Sequence, residues 1–268
     1  STVKGSNWRA WQPEHEGLIK NREDFNRYPW PATDQILDVT IEYCASKMAT
    51  GMKVMVFQWG IFEDLKLLLG LENMAIKSIE EPELLLDILE NLTVLAEAAV
   101  DKAASRSEVG AVFMAEDMGF NSGTMLNPTF MREHVIPRQK RIADACHKHG
   151  KPFILHSCGQ IEAIMEDLIE VVKIDAKHSF QDNAYRIDDW YPKYRDRIGI
   201  LGGVDMDLLA RGTPEEVRRR TRQIIELCAP EGRFAVGCGN TVANYLRIEN
   251  YYAMIDETRK YNEEHGWL

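Results

Sequence analysis

The chain has 268 residues, 45% of them hydrophobic, with five cysteines and a formal net charge of −10. An acidic chain (pI ≈ 5.3) with no evident basic face is poorly suited to neutralising phosphates, which argues against nucleic acid. No run approaches the ~20 apolar residues of a membrane span and no signal peptide opens the chain. An odd number of cysteines without regular spacing suits a reducing cytoplasm better than a disulfide framework. The length suits one α/β domain over residues 1–268.

In chain order, residues 1–35 are rich in Trp, Pro and polar residues and are expected to form an irregular surface segment leading into a helix near Asp34–Ala49. Because the chain starts at Ser1 rather than Met, it is expected to be the remainder of something longer. From Met52 a repeating pattern sets in. MKVMVFQWG predicts a strand, with FEDLKLLLG and the run Glu80–Arg106 as helices. GAVFMAEDMG predicts a strand ending in Glu116 and Asp117, and Asn127-Pro128 opens a helix through about His149. KPFILHSCG is the next strand, followed by a helix over 160–169. VVKIDAKHSF, RIGILGGVD and RFAVGCGN predict strands ending at His178, Asp205 and Cys238. Thr213, Pro214 and Glu216 mark another helix start. The basic run Arg218–Arg220 with Arg222, set among Glu215, Glu216 and Glu226, reads as a solvated helix face.

Strands alternating with amphipathic helices predict parallel strands with helices outside. Roughly six strands are visible where a closed (β/α)8 barrel needs eight, so the first units lie upstream of Ser1 or near the amino end unread. Polar or metal-ligating residues close five consecutive strands, at what would be the catalytic face of such a barrel. His156 and Cys158, two apart on one strand, are predicted to face one spot, and Cys238 brings a second thiol. Imidazole and thiolate are ligand types that zinc prefers, and three protein ligands with an open fourth position is the catalytic arrangement. Taken singly, a strand histidine or cysteine is more often core. Glu116, Asp117 and His178 are candidates for a fourth ligand, an orienting partner or a catalytic acid or base. Asp205, after two glycines, is read either as a substrate-binding residue or as a helix cap, and Asn240 as a further substrate-binding candidate. Phe57, Trp59 and Phe62 are read as pocket-lining or core, and Cys44, Cys146 and Cys228 as core thiols.

The motifs LHSCG, KHSF, ILGGVD, TPEEVRRR and FAVGCGN, with the helix IPRQKRIADACHKHGKP before the first and ENYYAMIDETRKY after the last, resemble the uroporphyrinogen decarboxylase superfamily. Among its branches, the similarity is to the cobamide-dependent methyltransferases. The resemblance implies a TIM barrel, with His156, Cys158 and Cys238 matching the zinc ligands of that branch. It implies methyl transfer between a corrinoid (methylcobamide) carried by a partner protein and a small-molecule acceptor, a thiol or a reduced folate. The arginine-rich signature expected of true uroporphyrinogen decarboxylases is not found, and NTVANYLRIENYYAM departs from the coenzyme M enzymes. Two alternatives remain open: a metal-independent decarboxylase or lyase using Asp117, Asp205 and His178, and a non-catalytic tetrapyrrole- or corrinoid-binding protein.

Overall fold

A computed structural model describes residues 17–35 and 39–267. Most of the predicted irregular amino-terminal segment, residues 1–16, lies outside the described residues. The chain groups into two compact units, one over Gln12–Ala176 and one over Lys177–Leu268.

The first unit opens with helix α1 (Arg22–Arg27), whose first N–H groups are capped by the Asn21 side chain, a turn of 3-10 helix and α2 (Val39–Lys47). Strand β1 (Val54–Trp59) is followed by α3 (Ile61–Leu69), α4 (Leu71–Glu80) and α5 (Pro82–Ala104). Strand β2 (Val109–Ala115) leads into a short antiparallel hairpin, β3 (Gly119–Phe120) and β4 (Gly123–Thr124). The helix that Asn127-Pro128 opens has three parts: α6 (Pro128–Phe130), a π-helical turn, and α7 (Ile136–His147). Strand β5 (Phe153–His156) and α8 (Glu162–Asp167), extended by a second π-helical turn, complete the unit.

Strands β1, β2 and β5 are parallel, in the register Phe57–Phe113–Ile154 and Trp59–Ala115–His156. Alternate residues point to opposite faces. Val112, Met114, Phe153 and Leu155 are therefore on one face, all fully buried, with α5 and α7 packed behind. The other face carries Phe57, Trp59, Phe113 and His156. Phe57 and Trp59 are 58% and 41% exposed there, so of the three aromatics singled out near the first strand only Phe62, on α3, is core.

In the second unit β6 (Ala176–His178) precedes α9 (Ile187–Tyr194), β7 (Gly199–Val204), α10 (Met206–Arg211), α11 (Pro214–Cys228), β8 (Phe234–Cys238) and α12 (Ile248–Glu264). Strands β7 and β8 are parallel, and α11 packs on both. Thr213 and Glu216 form a reciprocal capping box at the start of α11, as the sequence predicts. The arginines of that helix are spent within the unit: Arg220 on Asp188, Arg222 on Glu257 and Glu264. Parallel strands alternating with helices make this an α/β fold. Among the described residues, no helix is long and apolar enough to cross a membrane.

Candidate metal centre

Strand β2 ends at Ala115, so Glu116 and Asp117 begin the loop beyond it and point to opposite sides. Glu116 is fully buried and turns to the start of α3. Gly60, the N-cap there, has no side chain to offer, and a Cβ on it would lie 1.7 Å from Glu116 Oε2. In that space the Glu116 carboxylate accepts the N–H of Phe62 at 3.0 Å and of Glu63 at 3.3 Å, and the Gln139 amide at 3.0 Å. It is a helix cap supplied from another element. Burial pushes its pKa up to about 8, against the pull of the Gln139 and Phe62 donors. The structure thus gives Glu116 a partner in α3, away from the ligand group that its neighbour joins.

Asp117 Oδ1 accepts the backbone N–H of Cys158 at 2.7 Å and lies 3.3 Å from His156 Nε2. Cys158 Sγ is 3.5 Å from the same Nε2. The three donor atoms lie within 4.8 Å of one another. His156 and Cys158 do meet, but not through the pleat of one strand: β5 stops at His156, and Cys158 is brought round by the loop. That loop is fastened closely. Ser157 is buried with its Oγ accepting the Met118 N–H, and Gln160 N–H donates to Phe120 C=O at 2.6 Å. Gly159 has φ +72°, and a Cβ there would stand 2.0 Å from Gly119 O. Only glycine fits such a position.

Burial would raise the Asp117 carboxyl, but the hydrogen bond and charge of His156, the Cys158 N–H and the Lys66 charge outweigh it and hold the pKa at about 2. A carboxylate, an imidazole nitrogen and a thiol sulfur are a donor set that zinc accepts. At usual zinc distances the edges of a ligand tetrahedron are roughly 3.4 Å for N–O and roughly 3.6 Å for N–S. The observed separations of 3.3 and 3.5 Å fit these edges.

The remaining predicted residues lie in the second unit. His178 Nε2–H donates to the Cys238 carbonyl at 3.0 Å, and its ring lies where a Cβ on Gly202 would crowd it. The Cys238 thiol donates to the Asn240 carbonyl at 2.8 Å, and burial raises its pKa. Asn240 Oδ1 accepts the N–H of its neighbour Thr241 at 2.7 Å. Asp205 is the N-cap of α10: Oδ1 accepts the Asp207 N–H at 2.7 Å and Oδ2 the Asp182 N–H at 3.0 Å. It also lines a cavity of about 840 Å³ with Asp182, Asp207, Arg211 and Tyr245. Cys146 and Cys228 are fully buried, and burial pushes their thiols up to about 11 and about 12.

Sequence reasoning missed Glu63 and Lys66. They form a 2.6 Å ion pair buried beside Asp117, and two opposite charges three apart inside the apolar run IFEDLKLLL were the available signal.

Parallel strands β2 and β5, with the loops beyond them, bring a carboxylate, an imidazole and a thiol to one spot, a metal-capable site in an α/β protein. The sequence profile of the uroporphyrinogen decarboxylase (URO-D) family matches residues 10–261, and the chain belongs to that family. It is 28% identical over 189 residues to a methylated-thiol–coenzyme M methyltransferase of Methanosarcina mazei. That stretch is 69% of this chain and 47% of the relative, so the chain spans about half the relative's length. A solved methyltransferase from Methanosarcina mazei shares the fold with a TM-score of 0.66 at 16% identity, over 94% of this chain and 71% of that one.

Proposed function

We propose that this protein is a zinc-dependent methyltransferase that moves a methyl group between a corrinoid held by a partner protein and a thiol acceptor, and that His156, Cys158 and Asp117 hold the metal. The observation that carries the reading is the gathering of these three donors within 4.8 Å of one another, with both separations from His156 Nε2 matching the edges of a zinc tetrahedron. The methyltransferase relative, named for a methylated thiol and coenzyme M, supports the reaction class. Cys238 joins the proposal as a further thiolate ligand on the strength of the GCGN motif resemblance alone.

Bound zinc would supply Lewis acidity that favours the thiolate of an acceptor near neutral pH. The chain's own residues prepare the place. Asp117 is an anion throughout the neutral range and fixes the Cys158 backbone by accepting its N–H. His156 is 8% exposed, and Phe113 lies alongside at 6.0 Å between ring centroids, limiting water on that side. Phe57 and Trp59 continue the same face outward, an apolar approach to the donors. Cytoplasmic residence, expected from the cysteine usage, belongs to this proposal as well.

The test is metal content of the purified protein by elemental analysis, combined with methyl transfer from free methylcobalamin to a panel of thiols before and after chelation. About one zinc per chain, and transfer that is lost on chelation and regained with zinc, is the expected result. No zinc and no transfer would overturn it in favour of proton-transfer chemistry of the decarboxylase kind.

A further inference from the structure

We infer that Glu63 and Lys66 are positioning residues that hold Asp117 ready for the metal, an inference that rests on the metal reading above. Both sit in the first two turns of α3, three apart and so on one helix face. Both are buried, at 4% and 1% exposure. Stability alone is a weak reason for such a pair, because buried ion pairs can often be replaced by apolar residues without loss. What the pair does besides neutralise itself is more informative.

Lys66 Nζ donates to Glu63 Oε1 at 2.6 Å and to the backbone carbonyl of Asp117 at 2.8 Å. Glu63 Oε1 accepts the backbone N–H of Asp117 at 3.1 Å. The two polar groups that flank the Asp117 Cα are thus both bound by one ion pair. The fastening also runs the other way, since the carboxylate of Glu116 accepts N–H groups from the first turn of α3, including that of Glu63 itself. Helix α3 and residues 116–117 cap each other reciprocally across more than fifty positions of sequence. With its backbone clamped at N–H and C=O, Asp117 has only its side-chain torsions left, and the Cys158 N–H takes one oxygen. Groups that orient metal ligands in this way commonly change metal affinity 10–100-fold when removed.

The experiment uses cobalt(II), whose d–d and thiolate charge-transfer bands report ligand geometry directly. The full chain is titrated as wild type, as Glu63→Gln/Lys66→Met, and as Lys77→Met. The double variant keeps an oxygen for the Asp117 N–H but removes the donor to its carbonyl, without leaving an unpaired buried charge. Lys77→Met removes a more exposed ion pair away from Asp117, between Lys77 on α4 and Glu81 at its C-cap. The expected result is a wild-type thiolate band, about tenfold or weaker cobalt binding with shifted d–d bands in the double variant, and no change in Lys77→Met. Thermal unfolding of the metal-free proteins checks that the variants fold; if the double variant does not, Glu63→Gln alone is read by the same bands. A wild-type band with identical affinity and spectrum in the double variant, or in that fallback, overturns this inference alone. Absence of a thiolate band in the wild type overturns the metal reading and this inference together.

Discussion

The backbone N–H of Cys158 donates to Asp117 Oδ1 at 2.7 Å, so a carboxylate that follows β2 decides where a thiol that follows β5 comes to rest. The same oxygen lies 3.3 Å from His156 Nε2. Removing it takes away a charge beside the imidazole and a constraint on the thiol together. Asp117→Ala is therefore expected to weaken zinc binding at least about tenfold, with Asp117→Asn in between because its amide oxygen still accepts the Cys158 N–H. Competition with a chromophoric chelator measures both. Wild-type affinity in Asp117→Ala would remove this carboxylate from the site.

Gly159 carries two demands at once: a positive φ and a backbone approach to Gly119 that leaves no space for a Cβ. Gly150 also has a positive φ, +66°, but nothing stands within 4 Å of its added Cβ. Gly150→Ala is expected to cost only the conformational strain, about 1 kcal/mol, whereas Gly159→Ala should cost at least about 2 kcal/mol and disturb Cys158. Urea unfolding midpoints separate the two. Equal losses would mean that the loop gives way freely.

Asp64 offers a pH handle on α3 itself. Burial, with the Glu63 charge adding to it, pushes its carboxyl up to about 6 from an ordinary 3.8. Between those values the folded state holds a proton that the unfolded chain releases, so stability from this group is full below pH ~4 and declines as pH rises to ~6. Asp64→Asn should remove that decline and gain on the order of 1–3 kcal/mol at pH 7, with little gain at pH 4. Urea titrations at the two pH values check the sign; a gain at pH 4 that vanishes at pH 7 would reverse it.

The residues legible in the sequence were those whose role follows from local pattern. The apolar run Phe153–Leu155 announces a strand that ends at His156, and Thr213 with Glu216 announces a helix start. The meeting of His156 and Cys158 was foreseen through strand pleat, whereas the structure achieves it with a loop that Asp117 and Gly159 hold in place. Glu116 reads from local pattern as a strand-end acid, because its partners, the N–H groups of Phe62 and Glu63, lie 54 and 53 residues upstream. No periodicity reports a contact of that range. Asp205 was open between two readings; its capping bond to Asp207 needs only local geometry, while the cavity beside it gathers Tyr245 from another loop.

The cysteines divide by what surrounds each thiol, and substitution should follow that division. Cys146 on α7 and Cys228 on α11 are fully buried, and burial holds both thiols protonated far above neutral pH. Cys158 is half-buried beside an imidazole, and Cys238, also half-buried, is proposed as a ligand from the motif resemblance alone. Cys146→Ser and Cys228→Ser are expected to keep wild-type zinc content while losing about 1–3 kcal/mol of stability, because each exchanges a buried thiol for a smaller hydroxyl that costs more to desolvate. His156→Ala, Cys158→Ser and Cys238→Ser should instead fall below half the wild-type zinc per chain with little change in the stability of the metal-free protein. Elemental analysis beside thermal unfolding reads both axes. Full zinc in Cys238→Ser together with loss in Cys158→Ser would restrict the ligands to Asp117, His156 and Cys158, and the motif resemblance would then have assigned one thiol too many.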